Sequence, residues 1–246
     1  MKKFGFTLAE VLITLGIIGV VAAMTTPALV SHGKNEVFAN KLAVAVSNFE
    51  NAMQMAMTQE HVDRLGQTQM FCVQMGGGNG AIRSFYEGMQ QYLKVNDISR
   101  NGNFQAEYTA HDAGNVFELN NDGSKGDIIS ADFNGIGGTA INTKSGMLYY
   151  IYDRRGDAVR DLTSVYIDVN SYEQPNIVGR DIFMFILGND GTLYPYGGLD
   201  AAQDNFINNR LWNDAEGGDL RCQNNSIGGG YGCAARVIAE GYKINY

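Results

Sequence analysis

An α+β fold, in which a long N-terminal helix packs on a C-terminal antiparallel sheet, is what this 246-residue chain predicts, and three patterns carry the prediction. From Val11 to Gly33 no Asp, Glu, Lys or Arg interrupts the chain. From Phe38 onward the residues Phe38, Leu42, Ala45, Phe49, Ala52 and Ala56, flanked by Val46, Met53 and Met57, recur at helical spacing. Beyond Gly146, four short runs rich in β-branched and aromatic residues follow one another. With 45% hydrophobic and 18% charged residues there is ample material for a core. The balance of 18 Lys and Arg against 26 Asp and Glu gives a net charge of −8. No basic cluster stands outside the first residues, which argues against a nucleic-acid partner.

The first element is the apolar run. Lys2 and Lys3 precede it, as in an exported segment whose basic start stays cytoplasmic, so the remainder is expected to face outward. At ~1.5 Å per residue, Val11 to Val30 is long enough to cross a hydrocarbon core of ~30 Å. A secretory signal cut after Val21-Ala22-Ala23, leaving Met24 first, is the rival reading. Glu10 separates the two. An unpaired charge costs ~2.5–3.5 kcal/mol deep in a bilayer and less near its surface, and neither a plain anchor nor a signal gains from one beside its apolar core. One helix is expected from about Phe6 to about Glu60. It should bend near Pro27, where the ring removes a backbone donor and crowds the preceding turn, and its far half should pack on the sheet.

"KKFGFTLAEVLITLGIIGVVAAMTTP" resembles the N-terminal processing segment of type IV pilins and type II secretion pseudopilins. The matches are a short basic leader ending in Gly5, a Phe6 start, Thr7-Leu8, Glu10 as the fifth residue after the glycine, and a helix-length apolar run reaching Pro27. Ala9 stands where a bulkier aliphatic residue is common. The resemblance covers about the first thirty residues and implies several things. A prepilin peptidase/methyltransferase would cleave after Gly5 and N-methylate Phe6, and the precursor would sit in the bacterial inner membrane with its globular domain extracytoplasmic. The helix would then join other pilin or pseudopilin subunits in a pilus or a periplasmic pseudopilus. On that reading residues 1–5 are the leader, 6–30 the membrane and filament-core helix, and 31–246 the exported domain. Cleavage would also place a new amino group at Phe6, one helical turn from Glu10, so the carboxylate can pair with that amine or a neighbour's. A secreted or membrane-anchored binding protein is the alternative.

After the helix comes a glycine-rich break, "QMGGGNG", which has neither the preceding strand nor the Lys-Ser/Thr of a phosphate loop. A short helical pattern covers Ile82 to Leu93, and residues 95–145 are polar and rich in Gly and Asn. The runs "GMLYYIYD", "LTSVYIDVN", "RDIFMFILG" and "GTLYPYG" then read as a meander, with Asn189-Asp190-Gly191 as the hairpin turn between the last two. The pilin resemblance implies the same helix-on-sheet fold. "CAARVIAEGYKINY" reads as a short helix and an extended tail.

Candidate chemistry is sparse. His32, His61 and His111 lack metal-ligand spacing, and no nucleophile has an evident base, so no enzyme is expected. Asp168 and Asn170 lie two apart, as oxygen ligands do in calcium loops, and Asn176 and Asp181 could complete a cage. The segment also resembles the acidic inter-strand loop that binds calcium in some major pseudopilins. Tyr172 and Glu173 break the strict EF-hand pattern, and turn residues capping two strands are the simpler reading. Of the 3 cysteines, Cys222 and Cys233 flank a short, polar, Gly-rich loop, and an oxidising compartment favours a bridge between them, leaving Cys72 over.

Overall fold

A computed structural model describes residues 7–68, 88–99, 103–120, 122–129, 138–153, 163–196, 222 and 229–246. Gly5, Phe6, Cys72 and the glycine-rich break lie outside the described residues. Helix α1 runs unbroken from Leu8–Glu60, 53 residues, through Pro27. It closes on His61, whose left-handed φ of 54° lets its N–H bond the carbonyls of Met57 and Thr58. A helical segment at 88–92, where the sequence predicts one, leads into strand β1 (Val95–Ser99). Helix α2 (Phe104–Ala110) follows, then the hairpin β2 (Phe117–Leu119) and β3 (Lys125–Ile128). Strands β4 (Thr139–Thr143), β5 (Leu148–Asp153), β6 (Thr163–Asp168), β7 (Ile182–Leu187) and β8 (Leu193–Pro195) complete the main sheet, and helix α3 (Cys233–Ala239) ends the ordered elements.

The main sheet has the order β1-β4-β5-β6-β7-β8, antiparallel throughout, so the fold is α+β, and the predicted meander β5-β6-β7-β8 runs to one edge of the sheet. The turn between β7 and β8 falls on Asn189–Gly191. Gly191 sits there at φ +81°, and a Cβ would come within 3.0 Å of both Met53 and Met57 on α1, so this position needs glycine for conformation and for space. Strands β1 and β4, helix α2 and the β2–β3 hairpin occupy the polar, Gly- and Asn-rich region 95–145, where the sequence predicts no regular element.

Each face of the sheet is covered. The stripe Leu42, Ala45, Phe49, Ala52, Met53 and Ala56 of α1 is buried against Ile141, Tyr149, Val165, Ile167, Phe183 and Phe185. Tyr149 sets its ring at a tilt against Phe49, centroids 5.3 Å apart, and donates its hydroxyl to the Ala45 carbonyl at 2.9 Å, tying β5 to α1. On the opposite face Phe104 and Tyr108 of α2 pack on Leu148, Tyr150, Tyr166, Ile182 and Met184. Because both faces are buried, β7 reads IFMFIL with no polar alternation.

The first half of α1 has no such partner. Leu8–Thr26, 19 residues, is long and apolar enough to cross a membrane, and none of it is buried within the chain. Its threonines hide their hydroxyls on the helix backbone. Thr14 donates to the Glu10 carbonyl at 2.9 Å, Thr25 to Val21 at 2.9 Å and Thr26 to Ala22 at 2.7 Å, which removes the cost of bringing a free hydroxyl into hydrocarbon.

Candidate functional site

At the start of α1, Thr7 is the N-cap in extended backbone, and Glu10 is the third helical residue. The Glu10 carboxylate accepts from the Thr7 N–H and the Thr7 hydroxyl, both at 2.8 Å, while the Thr7 hydroxyl accepts from the Glu10 N–H at 3.3 Å. This reciprocal capping box satisfies donors that a helix start leaves open and places a negative charge at the positive end of the helix dipole. The carboxylate is therefore held at the very end of the apolar helix, one turn beyond the position the resemblance assigns to cleavage.

The residues proposed for calcium do come together, at the turn-rich connection between β6 and β7. Asp168 and Asp181 are both buried. Asp168 accepts from the Asn170 N–H at 2.9 Å and from the Tyr108 hydroxyl at 2.5 Å. Asp181 accepts from the Asn176 and Ile177 N–H groups at 2.9 and 2.7 Å. The Asn170 amide donates to the Glu173 carbonyl at 2.7 Å, and the Asn176 amide donates to the Ala113 carbonyl at 2.9 Å. Asn176 itself adopts a left-handed φ of 52°, a conformation asparagine tolerates. Every named carboxylate oxygen thus organises the loop. Burial, reinforced by the charge of Asp181, pushes the Asp168 carboxyl well above its ordinary range, and burial raises Asp181 to about 6. Among the described residues no group of three or more His, Cys, Asp or Glu side chains is arranged to hold a metal ion. A cation in this loop would take two carboxylates and amide carbonyls instead. Asn170 and Asn176 each keep a buried Oδ1 with no hydrogen-bond partner.

A further buried acid was not legible in the sequence. Glu107 on α2 has no exposed surface, and one of its oxygens receives the Ser99 hydroxyl, the Tyr172 hydroxyl at 2.5 Å and His111 Nε2 at 3.1 Å. His111 also stacks on Tyr172 with centroids 4.1 Å apart. Only the (i, i+4) spacing of Glu107 and His111 hinted at this contact. Ser99 and Tyr172 reach it through tertiary structure. The cluster joins α2, β1 and the β6–β7 loop into one hydrogen-bonded wall.

Cys222 and Cys233 stand at disulfide-bonding distance, 2.05 Å between sulfurs, with Cα atoms 4.1 Å apart. Cys233 opens α3, whose Cys233, Ala234, Ala235 and Val237 enter the main core. Gly230 lies just before it, at φ +104°, where a Cβ would meet the Val178 carbonyl oxygen at 1.9 Å, so this segment rests directly on the β6–β7 loop.

No curated protein and no solved structure matches the chain. Residues 1–26 match the family model described as the prokaryotic N-terminal methylation motif, which is the signature of type IV pilins and pseudopilins.

Proposed function

We propose that the chain is a structural subunit of a type IV pilus or a type II secretion pseudopilus. It is made as an inner-membrane precursor with 1–5 as leader, cut after Gly5, N-methylated at Phe6, and assembled through the helix that 6–30 begins, with 31–246 as the extracytoplasmic domain. Its partners are the prepilin peptidase/methyltransferase and other subunits of the same kind. The observation that carries the reading is the methylation motif joined to a 19-residue apolar helix left entirely uncovered by its own fold. Lipid covers such a surface in the precursor and like helices cover it in a filament. Intact mass of membrane-extracted protein tests it. A mature chain starting at methylated Phe6 is expected, and one starting at Met24 would leave an ordinary signal peptide.

A second reading, of the domain alone, is calcium at Asp168, Asn170 and Asp181. Two acids buried together and the unpartnered Oδ1 of Asn176 favour it. Calcium bound only by the folded state raises stability by ~2.7 kcal/mol at one hundred times its dissociation constant. A melting temperature indifferent to millimolar calcium and to chelator refutes it.

A further inference from the structure

The folded domain begins where the lipid ends. At ~1.5 Å per residue, a hydrocarbon core of ~30 Å entered at Val11 is left near Val30, and a headgroup layer of ~5–8 Å carries the unbroken α1 on to about Asn35. Side chains just before Asn35 therefore stand at headgroup level. Lys34 is exposed there, while Phe38, one turn further on and on the same helix face, is buried in the core. Lys34 thus lies on the domain side of α1, beneath the edge of the core, and its side chain leans back along the helix toward the membrane. Glu36 is exposed as well but does not share that face, since positions two apart on a helix point away from each other.

The segment after α3 brings a second lysine to the same level. Gly241 and Tyr242 both take left-handed backbone, φ 72° and 58°, and the Tyr242 N–H closes on the Val237 carbonyl at 2.7 Å. A bulky aromatic residue rarely holds that conformation, so the reversal is a specified feature of the chain. It lays the following residues across the foot of the domain, where Ile244 is buried in the core and its carbonyl accepts from Asn35 Nδ2 at 3.3 Å. Lys243, beside it, is exposed. The acid nearest in the chain, Glu240, is held by Arg236 Nε at 3.1 Å, and among the described residues neither Lys34 nor Lys243 has an ion-pair partner. Tyr242 is partly buried next to Lys243, and tyrosine and lysine are both residue types that settle at a membrane–water boundary.

We propose that this underside is a lipid-binding foot, in which Lys34 and Lys243 take the phosphates of anionic phospholipid in the leaflet on the domain's side. Placement selects the ligand, because phospholipid phosphates are the anions fixed at that depth and each ammonium offers them donors and charge. In a chain of net charge −8, which an anionic surface otherwise repels, two cations at the foot decide which side of the domain meets the bilayer. The proposal rests on the membrane reading of residues 6–30.

The test is hydrogen exchange, read by mass spectrometry, of the full chain in phosphatidylglycerol nanodiscs, phosphatidylcholine nanodiscs and maltoside micelles, the last with and without inorganic phosphate. Amides of residues 241–246 should exchange at least about tenfold more slowly in phosphatidylglycerol discs than in micelles, the size of effect that two lysines near an anionic surface supply. Phosphatidylcholine should fall between, and inorganic phosphate should not reproduce the slowing. Lys34→Gln with Lys243→Gln, at two exposed positions, should return exchange in phosphatidylglycerol discs to near the micelle value with an unchanged melting temperature in maltoside. Arginine at both positions keeps the charge and should keep the slowing. Equal exchange in phosphatidylglycerol discs and micelles, slowing by free phosphate alone, or slowing that survives the double Gln substitution would each overturn the proposal and leave the membrane reading standing. A chain that does not enter the discs would overturn both.

Discussion

Within α1, Leu12, Ile13, Ile17 and Ile18 are 59–63% exposed, while Leu42, Phe49, Met53 and Ala56 have no exposed surface, though one uninterrupted backbone carries both sets. Hydrophobicity alone does not separate them. Arrangement does. A helix apolar on all sides cannot bury itself on one sheet, so its partner must be lipid or other helices. A helix with one apolar stripe finds its partner in the same chain. Stability and assembly are therefore written on different halves of one element, and substitutions can test that division.

The largest expected effect is in the second half. Phe49→Ala removes a ring buried between α1 and Tyr149 and should cost the domain ~3–5 kcal/mol in denaturant unfolding. Ile13→Ala, in the exposed half, should change the same measurement by less than ~0.5 kcal/mol. Comparable losses from the two would mean that the first half docks on the domain, and the division would fail.

Next comes the bridge. Replacing Cys222 and Cys233 together by Ser should destabilise the domain by ~2–4 kcal/mol. The effect belongs to the folded domain, because Cys222 and the start of α3 lie in the core shared by the sheet and the second half of α1. Peptide mapping without reduction checks the pairing itself, and a dominant Cys72-containing bridge would overturn it.

The β6–β7 acids set a smaller effect with a definite sign. Both carboxyls are raised in the folded chain, Asp181 to about 6 against an ordinary 3.8, so between those values the folded state binds more protons than the unfolded one. Their contribution is fully present below the unfolded value and is lost as pH rises through the folded value. Asp168→Asn keeps the shape and an acceptor for the Asn170 N–H but removes one charge. Melting temperatures of the variant should fall less than those of the parent between pH 4 and pH 7, in chelator. An identical fall would show that the pair does not titrate in this window.

How much of this was legible in the sequence follows from where each partner lies. β5 to β7 were readable because buried central strands need dense runs such as IFMFIL, and the edge strand β8 because Asn-Asp-Gly at 189–191 suits a tight reversal. β1 and β4 were missed. VNDIS and TAINT carry little hydrophobic signal of their own and are strands because the neighbouring β5 offers a ladder. Helix α2 has only seven residues, and its signals were the Asn103 cap and the Phe104–Tyr108 spacing. The capping role of Glu10 is written in the Thr-x-x-Glu pattern of Thr7 and Glu10, directly ahead of the apolar run.

That partner gives the smallest stability effect and the sharpest test of the division. Glu10 serves two roles that one alanine substitution would confound: it caps its own helix through Thr7, and it carries a charge that the filament reading assigns to a Phe6 amine. Glutamine separates them, because a Gln side chain can still accept from the Thr7 N–H but has no charge. Loss of the cap costs ~1 kcal/mol at the helix start. The cap lies far along the helix from Phe49, so neither Glu10→Gln nor Glu10→Ala should move the melting temperature of the domain. Both variants should be made and inserted as the parent is, since removing a charge makes the segment more apolar. Incorporation then decides, read as subunit in sheared filaments against subunit in the membrane, in cells with no parent protein. If the charge matters, Gln and Ala fail alike. If the cap matters, Gln assembles while Ala and Thr7→Ala fall short together, and Glu10 is explained by its own helix. Parent-level assembly of Glu10→Ala would remove the carboxylate from both roles.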